Sequence, residues 1–246
     1  MHRGSSSGPG TGGVIGVRTG VAVTVLVLVL VNILNNRLAP GAYLITAPLT
    51  AALLLGVLRL AGGSWADAGL DRAGWGRGAR WAGVLIGLVA VVYLVAALLP
   101  PTRELFTDRR TEGDSGATVA FQVLVRIPLG TVLLEEVAFR GVLYGLLRKE
   151  WDVKVATVGS SLLFGLWHIL PSLHLSDDKP ALDPLFGDSV LGVVVVEIGT
   201  VLFTGLAGVL FCELRRRSGS LLAPAGLHWA TNALGIVTGY ALRALT

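Results

Sequence analysis

The chain has 246 residues, 53% of them hydrophobic, and a mean hydropathy of +0.71, well above that of a soluble domain of this length. A single cysteine, Cys212, excludes an intrachain disulfide and with it a disulfide-stapled secreted fold. The formal charge is +4, but the basic residues lie mostly in short loops between apolar runs, where they set membrane topology. No aromatic–basic pattern or glycine-rich phosphate loop is present, so we expect no nucleic-acid partner.

Seven apolar runs are candidate membrane spans, although the first would need residues from Val14 onward to cross comfortably, and they predict an all-α, polytopic transmembrane helical bundle of about seven spans, within a range of six to eight. Residues 1–13 are rich in Gly, Ser and Pro and are predicted to form a disordered tail. Residues 14–117 are assigned to N-terminal membrane spans and residues 118–246 to a catalytic membrane core. The predicted spans are 20–34, 42–60, 82–99, 118–147, 155–170, 190–214 and 221–242.

Lysine and arginine residues are distributed unevenly between the two sides of this predicted topology. The N-terminal tail and the loops on its side carry twelve, the loops on the other side carry six, and Arg126 and Arg140 lie within spans. Because cytoplasmic loops carry an excess of basic residues, we expect a multi-pass protein of the plasma membrane with its N terminus inside. Residues 64–80, between the second and third spans, are predicted to form an interfacial amphipathic element.

Charged and polar residues inside three spans are the strongest indication of a function. Glu135 and Glu136 lie on the fourth span, His168 on the fifth, and His228 with Asn232 on the seventh. A carboxylate at the centre of a membrane helix costs about 2.5–3.5 kcal/mol on insertion scales. At about 1.5 Å per residue from the basic ends of their spans, these groups reach similar depths of about 16–20 Å. We therefore expect them to share one site.

Helical spacing suggests what these groups do. Glu136 and Arg140 are four residues apart and can form an ion pair, whereas Glu135 points about 100° away and lacks a local partner, as suits a general base. His228 and Asn232 are also four residues apart and can donate two hydrogen bonds in one direction, as an oxyanion-binding pair does. A structural interpretation stays open, because intramembrane His and Asn side chains often join helices by hydrogen bonds.

Three motifs in the second half of the chain resemble the CPBP (Abi) family, which includes CAAX prenyl proteases and bacteriocin-processing or immunity proteins. The motifs are Glu135-Glu136-x-x-x-Arg140, Phe164-x-x-x-His168 and His228-x-x-x-Asn232. The resemblance covers roughly residues 130–233. It implies an intramembrane endopeptidase acting on a membrane-associated peptide or protein, prenylated or not, through a cavity open towards the cytoplasm.

The resemblance also implies a role for each motif residue. Glu135 would be the water-activating base and His168 its partner. His228 and Asn232 would hold the oxyanion. Glu136 and Arg140 would support the site.

The resemblance leaves the metal requirement open. CPBP members are commonly labelled metalloproteases, and Glu135, His168 and His228 would supply a two-His, one-carboxylate set suited to Zn²⁺. No HExxH motif is present, and a metal-free mechanism accounts for the same residues, so we favour a site without a cofactor. Glu197, on the sixth span, is a further embedded acid whose role the sequence leaves open. His174 lies in a Pro/Asp-rich loop and is expected to be solvated.

Two functions other than proteolysis are compatible with the same residues. One is a non-catalytic scaffold or bacteriocin-immunity protein. The other is a transporter in which buried Glu and His side chains relay protons.

Overall fold

The computed structural model describes residues 13–106, 113–173 and 190–243, which contain helices and no β-strand. Seven long helices follow one another: α1 Val17–Leu38, α2 Pro40–Leu60, α3 Arg72–Leu98, α4 Gly116–Glu150, α5 Val153–Ser172, α6 Val190–Ser218 and α7 Leu222–Arg243. A short 3₁₀ helix, Pro100–Phe106, follows α3. The predicted tail, apart from Gly13, lies outside the described residues, as does His174.

Helices α1 to α6 are long and apolar enough to cross a membrane. Helix α7, the seventh predicted span, has the length but a lower hydropathy, because it includes His228 and Asn232. It nevertheless packs closely along α3: a Cβ on Gly226 would lie 2.5 Å from the Cβ of Ala82. The chain is therefore an integral membrane protein with a polytopic all-α bundle, and the predicted fold class is confirmed.

Small residues bring α5 and α6 close together. A Cβ on Gly165 would lie 2.6 Å from the carbonyl oxygen of Val201, and one on Gly208 would lie 3.0 Å from the Cα of Ser161. Lipid tails are as apolar as leucine, so helix association in a bilayer depends on such close packing. Large apolar side chains such as Val84 remain exposed on the outer faces, where lipid would cover them.

The segment between α2 and α3 differs from its prediction. Residues 72–80 are the first turns of α3 rather than a separate interfacial element. Residues 61–71 fold into a compact turn that is tied to the junction of α6 and α7. The guanidinium of Arg215 donates to the carbonyl oxygens of Ala66 at 2.8 Å and Asp67 at 3.1 Å, and the Leu221 N–H donates to the carbonyl oxygen of Gly69 at 2.9 Å. These contacts join two interhelical turns at one end of the bundle.

The helices run alternately up and down, so the bundle has two distinct ends. At the first, the Ile15 N–H donates to the carbonyl oxygen of Leu60 at 3.1 Å, and Arg18 Nε contacts Glu150 Oε2 at 2.9 Å. The beginning of α1 therefore lies beside the ends of α2 and α4. We call this the N-terminal end and the opposite one, where α7 finishes, the C-terminal end.

Helix α4 changes its winding around the candidate site. A three-residue α-helical segment, Leu133–Glu135, separates two π-helical stretches, Gln122–Val132 and Glu136–Leu143. Pro128 in the first stretch has no N–H to donate. In the second, the hydroxyl of Ser160 on α5 donates to the carbonyl oxygen of Phe139 at 2.8 Å. Such π turns often occur at functional sites.

Candidate active site

The structure brings Glu135, His168, His228 and Asn232 together on one cavity of about 1290 Å³. They come from three helices: Glu135 from α4, His168 from α5, and the other two from α7. The carboxylate and the His228 ring are buried, whereas Asn232 is exposed to the cavity. The side chains that residue counting placed at a similar depth therefore line the same cavity.

Glu135 has one anchored oxygen and one without a partner. Its Oε1 accepts a hydrogen bond from the indole Nε1–H of Trp167 at 3.1 Å. Its Oε2 is buried and accepts no hydrogen bond within the described part of the chain. The nearest basic groups to Oε2 are the Nε2 atoms of His228 at 3.7 Å and His168 at 3.9 Å. Leaving a buried acceptor unsatisfied costs about 1–3 kcal/mol.

The backbone of α5 fixes the His168 ring. Its Nδ1 lies 2.8 Å from the carbonyl oxygen of Phe164, and because a carbonyl only accepts, Nδ1 carries the proton. In the neutral ring, Nε2 therefore presents a lone pair towards Glu135. The Phe164 ring contacts the imidazole edge-on, with centroids 4.6 Å apart. His168 also marks the break between the regular helix Val153–Trp167 and the short continuation Ile169–Ser172.

The His228 ring is held by the second glutamate of the pair. Its Nδ1 lies 2.8 Å from Glu136 Oε1, so the ring donates to the carboxylate there and directs Nε2 towards Glu135. Phe211 on α6 stacks on the imidazole at a centroid distance of 5.3 Å. The sequence predicted no contact between Glu136 and His228.

Arg140 forms the predicted ion pair with Glu136, with Nη1 3.3 Å from Oε1. The side chain is fully buried, and its Nε and Nη2 atoms have no hydrogen-bond partner within the described part of the chain. Its guanidinium instead lies over the rings of Phe164 at 3.8 Å and Phe211 at 4.7 Å. Desolvated cation–π contacts of this kind contribute about 2 kcal/mol. Arg140 is therefore stabilised by one carboxylate and two aromatic faces.

Two residues gain a role that sequence analysis did not give them. Trp167 anchors Glu135, and its own carbonyl oxygen accepts from the Asn32 side chain of α1 at 3.0 Å. The available signal was a tryptophan next to His168 in a buried span, since a buried indole N–H needs an acceptor. Glu197, whose role was open, accepts from the Ser172 hydroxyl at 2.9 Å and links α6 to the end of α5.

The donor set does not fit a zinc ion as it stands. Within the described ranges, no group of three or more His, Cys, Asp or Glu side chains is arranged to hold a metal. Tetrahedral zinc with bonds of about 2.0–2.1 Å needs ligand atoms about 3.3–3.4 Å apart. Glu135 Oε2 instead lies 3.7 and 3.9 Å from the two imidazole Nε2 atoms. We therefore derive the chemistry from the side chains alone.

Fold and site together define a polytopic helical membrane protein with a carboxylate–imidazole site at the base of a wide cavity. Residues 117–234, just under half of the chain, match the family model described as type II CAAX prenyl endopeptidase, Rce1-like. Over this region the chain is similar to that family of membrane proteases, which confirms the CPBP resemblance. The chain has no significant match to a curated protein or to a solved structure.

Proposed function

We propose that the chain is an intramembrane endopeptidase of the plasma membrane that hydrolyses a peptide bond in a membrane-associated peptide or protein. The observation that carries this proposal is the state of Glu135 Oε2. It is buried, has no partner within the described structure, and faces two imidazole nitrogens at the base of the cavity. Buried polar atoms in proteins are usually hydrogen-bonded. An unsatisfied carboxylate oxygen beside a cavity is placed to bind a reactant.

The spacing suits a water molecule as that reactant. At 3.9 Å, Glu135 Oε2 and His168 Nε2 are too far apart for a direct hydrogen bond, and one water can contact both. Glu135 takes a proton from this water, while the Nε2 lone pair of His168 orients it. The hydroxide forms a bond to the scissile carbonyl carbon, and the carbonyl π electrons move to oxygen. When the C–N bond breaks, Glu135 returns the proton to the leaving nitrogen.

Two residues on α7 are placed to stabilise the oxyanion that develops on the scissile carbonyl. Asn232 presents an amide to the cavity, and His228 lies one turn earlier. To donate from Nε2, His228 must carry protons on both ring nitrogens, and the Glu136 carboxylate at 2.8 Å balances that charge. Arg140 in turn holds Glu136 in place. A single oxyanion donor is typically worth about 10²–10³-fold in kcat.

The cavity suits an extended peptide. Its volume of about 1290 Å³ exceeds the roughly 300–1,000 Å³ of common small-ligand pockets. Apolar side chains such as Val92, Phe106 and Phe203 line it together with the polar site. A prenylated CAAX-type tail and an unmodified apolar segment both match this lining. Cleavage of matched peptides with and without the isoprenoid would separate them.

The central experiment compares the native chain with Glu135→Gln, which keeps the shape of the side chain and removes its basicity. Glu150→Gln is the matched control, because Glu150 lies at the N-terminal end and pairs with the exposed Arg18. Quantitative profiling of membrane-derived peptides at equal protein levels should show the same new fragments for the native and control chains. Those fragments should be missing for Glu135→Gln. Identical profiles for all three chains would refute the proposal and favour a scaffold or a transporter.

A further inference from the structure

Four polar side chains of α4 line the active-site cavity as one row. They are Gln122, Arg126, Thr131 and Glu135, and the steps between them are four, five and four residues. In an α-helix, the nine residues from Arg126 to Glu135 would make about two and a half turns and place the two side chains on opposite faces. In a π-helix, hydrogen bonds join residues five apart, so positions four or five residues apart lie on one face.

The other faces of this stretch follow the same spacing. A buried apolar row, with steps of four, four and five residues, packs against Ala233 of α7 and consists of Val119, Val123, Ile127 and Val132. Leu124 and Leu129, five residues apart, are exposed on the outer face. The π-helical winding of Gln122–Val132 therefore turns Arg126 towards the cavity.

Arg126 is the member of the row without a partner. Each of the other three has a hydrogen bond within the described structure, as when the Gln122 amide donates to Asp114 Oδ2 at 2.7 Å. The Arg126 side chain is exposed and has neither a hydrogen bond nor an ion pair with a described residue. It is also the one Lys or Arg among the described residues that line the cavity.

The chemistry of this side chain selects its ligand. Ionisable residues of membrane helices that face a cavity often mark a substrate pathway. The guanidinium is planar, permanently charged, and presents a fork of N–H donors that matches the two oxygens of a carboxylate. The cavity thus holds an unpaired cation on the same helix face as the proposed general base, Glu135.

We propose that Arg126 determines specificity by binding a carboxylate of the peptide substrate about four residues from the scissile bond. The inference rests on the proposed function, because Glu135 marks the position of that bond. Nine residues of helix extend about 13 Å at 1.5 Å per residue, and an extended peptide covers this length in about four residues. The carboxylate is either the C terminus of the substrate or an acidic side chain.

Three forms of one peptide, taken from a fragment that the native chain releases, distinguish these sources. The first ends in a free carboxylate four residues after the cut, the second ends there in an amide, and the third is the amide with glutamate as that fourth residue. With the native chain in lipid, we expect kcat/KM to be about 10- to 150-fold higher for a carboxylate form than for the plain amide. A preference for the first form alone assigns the C terminus, and a preference for both assigns either carboxylate.

Arg126→Gln should abolish this preference, whereas Arg126→Lys, which keeps the charge without the fork, should retain part of it. Arg37→Gln is the matched control, because Arg37 is exposed and does not line the cavity. It should keep the full preference, and thermal unfolding in lipid checks that all three variants fold. Equal kcat/KM for all three peptides with the native chain, or a preference that survives in Arg126→Gln, overturns the inference.

A binding measurement separates this inference from the peptidase. The probe is a dansyl-labelled peptide of eight Leu and Ala residues, with a C-terminal carboxylate or amide, and Glu135→Gln in lipid binds it without hydrolysis. We expect tighter binding of the carboxylate form, lost when Arg126→Gln is added, and no difference between the two forms overturns the inference. If this binding is seen but the native chain releases no fragment, the peptidase fails and the carboxylate site stands. If peptides are cut at rates that ignore the carboxylate, the inference fails and the peptidase stands.

Discussion

Replacing Trp167 by phenylalanine should slow catalysis without unfolding the protein. The change removes the Nε1–H that holds Glu135 Oε1 at 3.1 Å. It keeps an aromatic ring beside Phe139, whose ring centroid lies 5.8 Å from that of Trp167 in an edge-on contact. Glu135 would then have neither oxygen hydrogen-bonded by the described residues, and its carboxylate would be free to rotate away from the attacking water.

The size of the effect follows from the bond that is lost. A hydrogen bond to a charged group contributes about 1.5–3 kcal/mol, which corresponds to about a 10- to 150-fold change in rate. Because the bond aims the base and does not contact the peptide, the loss should appear in kcat and leave KM nearly unchanged.

Trp229→Phe is the matched control. The Trp229 indole donates to the carbonyl oxygen of Val123 at 2.9 Å, so this variant loses an equivalent N–H bond at a helix contact instead of at the general base. Initial rates on a fragment-derived peptide, measured with the purified protein in lipid, give kcat and KM for both variants. Thermal unfolding in the same lipid would confirm comparable stability.

Equal kcat values for the two tryptophan variants would refute the reasoning, because the Glu135 contact would then be no more important than an ordinary interhelical bond. A rise in KM with unchanged kcat for Trp167→Phe would also refute it. That result would place the indole in substrate binding.

Three further changes probe other parts of the site. Asn232→Ala should lower kcat by about 10²–10³-fold, and an unchanged kcat would remove Asn232 from oxyanion binding. Gly130→Ala should destabilise the bundle by about 1–3 kcal/mol, since its Cβ would lie 2.6 Å from Tyr43 Cε1. Thermal unfolding should show a lower melting temperature for this variant than for Gly87→Ala, whose Cβ would have no neighbour within 4 Å. Incubation with a zinc chelator should leave the initial rate unchanged, and a loss reversed by added Zn²⁺ would contradict the metal-free mechanism.

The sequence predicts contacts within one helix better than contacts between helices. The Glu136–Arg140 pair follows from a four-residue spacing and forms as predicted. The bond from His228 to Glu136 joins α7 to α4, and it depends on how each helix is rotated about its axis, which hydropathy does not specify. The hydrogen bond from the Trp167 indole to Glu135 likewise joins two helices and depends on their rotation. Depth along the membrane could be counted from the sequence, whereas rotation could not.

The winding of α4 is a second reason why side-chain positions could not be predicted from the sequence. Spacing arguments assume about 3.6 residues per turn, but π-helical turns occupy Gln122–Val132 and Glu136–Leu143. Between Gln122 and Leu143, only the short segment Leu133–Glu135 has regular α-helical geometry. Pro128 gave a local hint, since it cannot donate to the helix ladder. Where the π turns begin and end depends on packing against neighbouring helices.

The modest hydropathy of α7 has a consequence for biogenesis. Helices α1 to α6 each carry enough apolar surface to enter a bilayer, whereas α7 relies on contacts such as the bond from the Tyr93 hydroxyl to the Thr231 carbonyl oxygen at 3.0 Å. The proposed oxyanion-binding pair, His228 and Asn232, arrives with α7, after the helices that carry Glu135 and His168 have been synthesised. A nascent chain that has inserted only its first six helices would hold a base and no oxyanion site. Docking of the last helix would therefore complete the proposed active site.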